Sequence, residues 1–414
     1  MSLLVHRLGN CVKLYKYFLT LVIVFILFLQ IALTKLTPLP NFFDEIVLLC
    51  IFVYAFYRSS KDEVVSRLFK LYVLAFTLFF LLSLWSIPMR GITNVLLQIF
   101  IHLKYILFVI FAWSAIGCSG ARNLSFIFII ITTVFLILNL TTGTAFNEIF
   151  DLPIQNRGGG VRPVGIQADT ASLGTTFSII GCLAIAGFRN SKTTKIIILF
   201  MISALILLSS VRAALLLVPL IILWWLKDSI KSFAIAFVLI VIGFFTFKSN
   251  NYVDELIDIT TQNIEWTVDN PVESGYIRGI MIFFSFEVAN ERFPVGAGAA
   301  TYGTVTSDDS HIYAEIGMHN SRFFVEKEGI YDSNLASLLG EFGYLGFVIY
   351  LFIFYLVVTT PAKFKKYEQE DEFKFVFSLL VIGYGVATPI FMNTYPAFIL
   401  ALVLVGSYKK IRNE

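Results

Sequence analysis

The chain has 414 residues, of which 57% are hydrophobic and only 14% charged, with a mean hydropathy of +0.81 and a formal net charge of +3. Soluble domains carry about 25% charged residues, so composition excludes a soluble globule. The 43 phenylalanines against 4 histidines and 4 cysteines describe a lipid-facing chain poor in metal-ligating side chains, with neither a His/Cys cluster nor a CxxC pair. Cys11, Cys50, Cys118 and Cys182 all lie in or beside apolar runs, so no disulfide framework is expected.

In chain order, basic residues Arg7, Lys13 and Lys16 precede an apolar run over 17–34. The run is long, and no small-x-small cleavage site follows before Thr34-Lys35, so it reads as a retained first span. Further runs near 42–57, 68–87, 92–116 and 124–141 are long enough, or nearly so, to cross about 30 Å of hydrocarbon. The fourth carries Gln98, His102 and Lys104. Gln98 and His102, at i and i+4, share a helical face. The stripe reads as an interhelical polar contact, or as a Lys104 snorkelling to the inner edge.

A polar segment over 142–169 contains Gly158-Gly159-Gly160, flanked by Arg157 and Arg162. Spans follow near 170–187, 194–209, 213–227 and 232–247. The turn between the seventh and eighth is Leu207-Leu-Ser-Ser-Val-Arg212-Ala-Ala, so tight that the two nearly fuse. Charge at membrane depth is costly. Arg212, beside Ser209 and Ser210, reads as an anion-binding guanidinium or as a side chain snorkelling to the headgroups.

One long polar interruption occupies 248–333. In it Arg278 precedes Gly279-Ile-Met-Ile-Phe-Phe-Ser-Phe-Glu-Val-Ala289, whose helical apolar spacing suggests an amphipathic helix on the surface or over a cavity. Pro294-Val-Gly-Ala-Gly298 is a Gly-rich turn that permits close backbone approach. Asp332-Ser-Asn334 then leads into Leu338-Leu-Gly-Glu341-Phe-Gly-Tyr-Leu-Gly346, which opens the tenth span. The last spans lie near 336–358, 374–391 and 396–408, with a mixed-charge linker over 363–374.

Continuous apolar runs, without alternation over about 10 residues, indicate helices and not a barrel. With the N-terminus inside, 20 basic residues fall on the inner side and 10 on the outer, which orients the chain by the positive-inside rule. The expected fold is an all-α integral membrane protein of about 12 helices. Nine occupy 1–247, a large extracytoplasmic loop with short helices covers the site over 248–333, and three occupy 334–414, with both termini cytoplasmic. No internal repeat is evident, which argues against a secondary transporter.

Taken together, Arg162-Pro-Val-Gly165, Ser209-Ser-Val-Arg212-Ala-Ala214, Arg278, Pro294-x-Gly-x-Gly298, Asp332-Ser-Asn334 and Leu339-x-Glu-x-Gly-x-x-Gly346 resemble the O-antigen polymerase and O-antigen ligase superfamily of bacterial envelope polysaccharide enzymes. The resemblance covers about residues 157–350. It implies a GT-C-like glycosyltransferase in the bacterial cytoplasmic membrane, acting at the outer face on a glycan carried by a polyprenyl diphosphate. No cofactor, metal, nucleotide sugar or nucleic acid is implied.

Arg212 and Arg278 match the family's two key arginines, which would hold and neutralise the departing diphosphate. The acceptor hydroxyl needs a proton acceptor or an orienting group, and Asp332, Glu341, Asp169, His311 and His319 stay open for it. The expected catalytic set is Arg212, Arg278, Asp332 and Glu341. Substrate contacts are expected from Arg162, Ser210, Gly296, Gly298, Asn334 and His319. The ligase branch carries a His where this chain has Asp332, which favours a polymerase joining repeat units into O-antigen, capsular or exopolysaccharide. A ligase-type transferase and, in a different class, a flippase for the lipid-linked unit are the alternatives. The family also implies a chain-length regulator and a flippase as partners, alongside membrane lipid.

Overall fold

The structure is a computed structural model that describes residues 43–149, 273–326, 330–364 and 367–410, with shorter stretches within 20–27, 152–186, 198–209 and 261–271. The expected spans at 17–34 and 194–209 are described only in part. Those at 213–227 and 232–247, and residues Ser210, Arg212 and Asp169, lie outside the described residues.

What is described is mostly helical. The principal helices are α1 (Phe43–Ser59), α2 (Glu63–Leu82), α3 (Ile92–Phe111), α4 (Gly117–Thr142) and α5 (Thr170–Gly181). They continue with α6 (Ile277–Glu291), α7 (Asn334–Thr359), α8 (Asp371–Ala387) and α9 (Thr394–Gly406). Helix α2, helix α7 and the run Ile92–Thr142 are long and apolar enough to cross a membrane. Apolar side chains such as Val53 and Phe56 on α1, Ile130 and Val134 on α4, and Val348 and Phe352 on α7 are exposed. Such stripes are costly in water and suit a lipid-facing surface.

Local chemistry moves several helix ends away from the hydropathy pattern. Helix α2 starts five residues before the apolar run, because Asp62 caps it by accepting a hydrogen bond from Val65 N at 3.1 Å. The 51-residue run Ile92–Thr142 would extend about 76 Å as one helix. It is divided by a π-helical turn, Ala112–Ile116, and by Gly117, whose φ of 78° breaks the helix. A polar connection is expected over 117–123, yet α4 already begins at Gly117. Arg122 is accommodated there because its guanidinium donates to the backbone oxygens of Gly406 and Tyr408 at the end of α9.

Helix α9 forms the centre. All 13 of its residues are buried, against α3, α4 and α5. A helix apolar on every side belongs in the interior.

The connections gather at two ends of this bundle. At one end Trp113 packs edge-on against Tyr367 and Tyr408, and a short antiparallel pair joins β3 (Tyr367–Glu368) to β4 (Lys409–Lys410). At the other, residues 83–91 meet 298–309, and Asn139 Oδ1 accepts from Val164 N at 2.8 Å. A two-residue hairpin, β1 (Asn156–Arg157) with β2 (Gly160–Val161), precedes that contact. Residues 273–326 and 330–333 cover this second end as a cap. The cap has its own small core, including Met281, Phe284, Tyr302, Tyr313 and Met318.

Candidate functional site

The cap is joined to the bundle through backbone. Helix α7 is interrupted at Gly343, with φ 61° and ψ −167°, which leaves carbonyls of the preceding turn without helical donors. The Gly-rich turn supplies them: Ala297 N donates to Gly340 O at 2.9 Å and Gly298 N to Glu341 O at 2.6 Å. In return, Leu345 N donates to Pro294 O at 3.0 Å. A Cβ on Gly296 would lie 2.4 Å from Gly343 N, and one on Gly298 would lie 2.6 Å from Ser86 Cβ. Gly296 and Gly298 are therefore buried where two backbones touch, and their close approach is to α7 and Ser86.

Glu341 holds the same joint by its side chain. It is fully buried. Its Oε1 accepts from Thr301 N and Thr304 Oγ1, both at 3.1 Å, and its Oε2 lies 2.8 Å from His102 Nε2 on α3. The polar stripe on α3 is thus interhelical. His102 meets Glu341, Gln98 Oε1 accepts from Thr306 Oγ1 at 2.7 Å, and Lys104 donates to Thr394 Oγ1 at 2.9 Å. Lys104 is buried here and does not snorkel.

Beside this joint sits an ion pair. Arg278, the second residue of α6, reaches Asp332 Oδ2 at 3.4 Å, each side chain about one-third exposed (34% and 35%). Asp332 directly precedes Ser333, whose hydroxyl caps α7 by accepting from Ala336 N. Asn334 is buried, and its Oδ1 accepts from Phe391 N at 2.9 Å. Its Nδ2 has no hydrogen-bond partner, so one amide donor of the Asp-Ser-Asn segment is left unused. Tyr331 precedes the pair. Its phenol is pushed above the ordinary value by burial first, then by the carboxylates of Asp308 and Asp332, so it stays a neutral donor at physiological pH.

Tyr331 also lines a half-open cavity of about 470 Å³ between α1, α3, α5, the 304–306 turn, Pro389 and Met392–Pro396. Glu45 from α1 and Lys104 from α3 both face it. The ion pair and the cavity are thereby adjoining parts of one region.

The remaining expected residues lie around this region at varying remove. Arg162 is half-buried ahead of Pro163–Gly165, a segment anchored on Asn139. His319 is exposed on the turn Met318–Asn320, and His311 pairs with Glu315 at 3.4 Å. Neither histidine lines the cavity. Sequence reasoning did not single out Glu45, Tyr331, Asn393 or Tyr395. Each is an ordinary residue in its local context, and only the fold brings them to one cavity. No protein-family model matches the chain, and no curated protein matches it.

Proposed function

We propose that the chain is a membrane glycosyltransferase that polymerises polyprenyl-diphosphate-linked oligosaccharide units into O-antigen, capsular or exopolysaccharide. On this reading it spans the bacterial cytoplasmic membrane about twelve times in a GT-C-like arrangement, with both termini cytoplasmic and the cap outside. The observation that carries the reading is the placement of Arg278, a partly exposed guanidinium in the cap, paired with Asp332, which is one chain position from Tyr331 on the wall of a cavity in an apolar bundle.

The chemistry needs such a group. The acceptor hydroxyl oxygen bonds to C1 of the donor sugar as the C1–O bond to the diphosphate breaks. The electron pair leaves with the diphosphate, and the hydroxyl proton leaves for a base or solvent. Negative charge therefore develops on the leaving oxygen, where a guanidinium stabilises it by charge-assisted hydrogen bonds. A guanidinium has five N–H donors, and Asp332 meets it through one nitrogen at 3.4 Å. Asp332 can thus orient Arg278 and leave donors for phosphate. Arg212 is the second arginine on this reading, from its match to the family pattern.

The test is Arg278→Ala in producing cells, with insertion checked by membrane fractionation. We expect long glycan chains to vanish while single repeat units accumulate at the outer face. Normal chain length in an inserted variant would sink the reading. Repeat units trapped on the inner face would point to a flippase.

A further inference from the structure

The cavity has a physical origin in the bundle itself. Helix α9 has 13 residues, about 20 Å of helix, against about 30 Å of hydrocarbon. The missing length is made up by the irregular segment 388–393, between the end of α8 and Asn393. Irregular backbone at membrane depth is tolerated where it is buried in protein or lines a water-filled cavity, and Pro389 and Met392–Pro396 line this one. Lys104 bonds Thr394 about 18 Å along α3 from its start, so the cavity reaches well into the bundle.

Its walls select a chemistry. One Lys104 is matched by one Glu45, so the lining has no net formal charge. An anion such as a diphosphate would have Glu45 against it, and a cation would have Lys104. The other polar groups are amides, hydroxyls and phenols, among them Gln98, Asn393, Tyr331 and Tyr395, which offer both donors and acceptors. Between them lie apolar faces from Leu97, Ile101, Met392 and Pro396. Alternating hydroxyl partners and C–H surfaces is what a sugar ring presents. The volume of about 470 Å³ lies within the range of small-ligand sites.

We infer that this cavity is a saccharide chamber, which takes a neutral, hydroxyl-rich segment of glycan while any diphosphate stays outside it at the cap. The inference rests on the proposed function only in naming the ligand as part of a lipid-linked glycan. Tyr331 lines the chamber, and the next residue, Asp332, pairs with Arg278 outside that lining.

The experiment uses the full-length protein in detergent and two probes. One is the oligosaccharide released by mild acid from the producing cells' lipid-linked intermediates; the other is inorganic diphosphate. Binding is followed by saturation-transfer NMR and calorimetry. Val305→Trp should fill the chamber from its rim, and since Val305 is 65% exposed the change does not disturb a packed core. Tyr331→Ala removes a wall. We expect both variants to weaken oligosaccharide binding by about tenfold or more and to leave diphosphate binding unchanged. Absence of oligosaccharide binding to the wild type overturns the inference. So does oligosaccharide affinity unchanged from the wild type in both variants, or a diphosphate affinity that falls in Val305→Trp. The polymerase reading fails separately. If Arg278→Ala cells keep long polymer while sugar binding remains sensitive to Val305→Trp, the chamber stands and polymerisation falls.

Discussion

Among the described motif residues, Glu341 ties separate parts of the fold together. Its carboxylate is shared by α3 through His102 and by the cap through Thr301 and Thr304. With no exposure and each oxygen engaged, its geometry is that of a pin. Removing it strands buried donors, each costing about 1–3 kcal/mol. Glu341→Ala should therefore destabilise the protein by about 3 kcal/mol or more, read as a large drop in the thermal midpoint of detergent-purified protein. Glu341→Gln keeps one acceptor oxygen and the shape, so it should retain most of the stability and measurable glycan transfer. If Glu341 were instead the proton acceptor, the Gln variant would keep the wild-type midpoint and lose transfer altogether. That outcome would overturn the pin. In the sequence Glu341 is visible as a charge at a span edge, but its partner His102 lies far away in the chain, and no local pattern links the two.

At the scale of elements, the Gly-rich turn and the break in α7 form one structure. The turn's amides replace the donors that α7 loses at Gly343, so neither segment is complete without the other. This explains why small residues recur on both sides. Gly296→Ala would place a methyl 2.4 Å from Gly343 N, at a φ of 71° that already disfavours a side chain. We expect it to detach the cap, seen as rapid proteolysis within 294–333 and loss of the folded species on gel filtration. Gly383→Ala is the matched control: a Cβ there meets nothing within 4 Å, inside a helix. Helix propensity then predicts no loss, and a gain of up to about 1 kcal/mol. Equal behaviour of the two variants would show that the joint does not hold the cap.

The glycines at 296 and 298 are readable in sequence as a place of close backbone approach, and the structure agrees. What they approach is not readable, because the contact partner lies beyond a long polar stretch. Helix ends differ for a related reason. Hydropathy marks where the chain is apolar, whereas Asp62 and Ser333 mark where helices start through side-chain caps.

Over the whole molecule, the charge pattern and the packing agree on which segments belong together. The connections assigned to one side by their basic residues, those described at 112–122, 359–364, 367–370 and 407–410, meet at one end. Segments 83–91, 294–309 and 388–393 meet at the opposite end. Sidedness is legible because nearly every short inner connection carries Lys or Arg. The cavity is not, because its walls are single residues from distant segments, and α9 reads as a full span although its helix is only 13 residues long.

Which end faces out is then a matter for accessibility. With the native cysteines replaced, a cysteine at exposed Val305 should react with an impermeant maleimide in intact cells. A cysteine at exposed Lys363 should react only after the membrane is opened. Reaction of the Lys363 position in intact cells would invert the orientation and place the cap in the cytoplasm. It would then face no externally presented lipid-linked glycan, and both the polymerase reading and the role of Arg278 would fall with it.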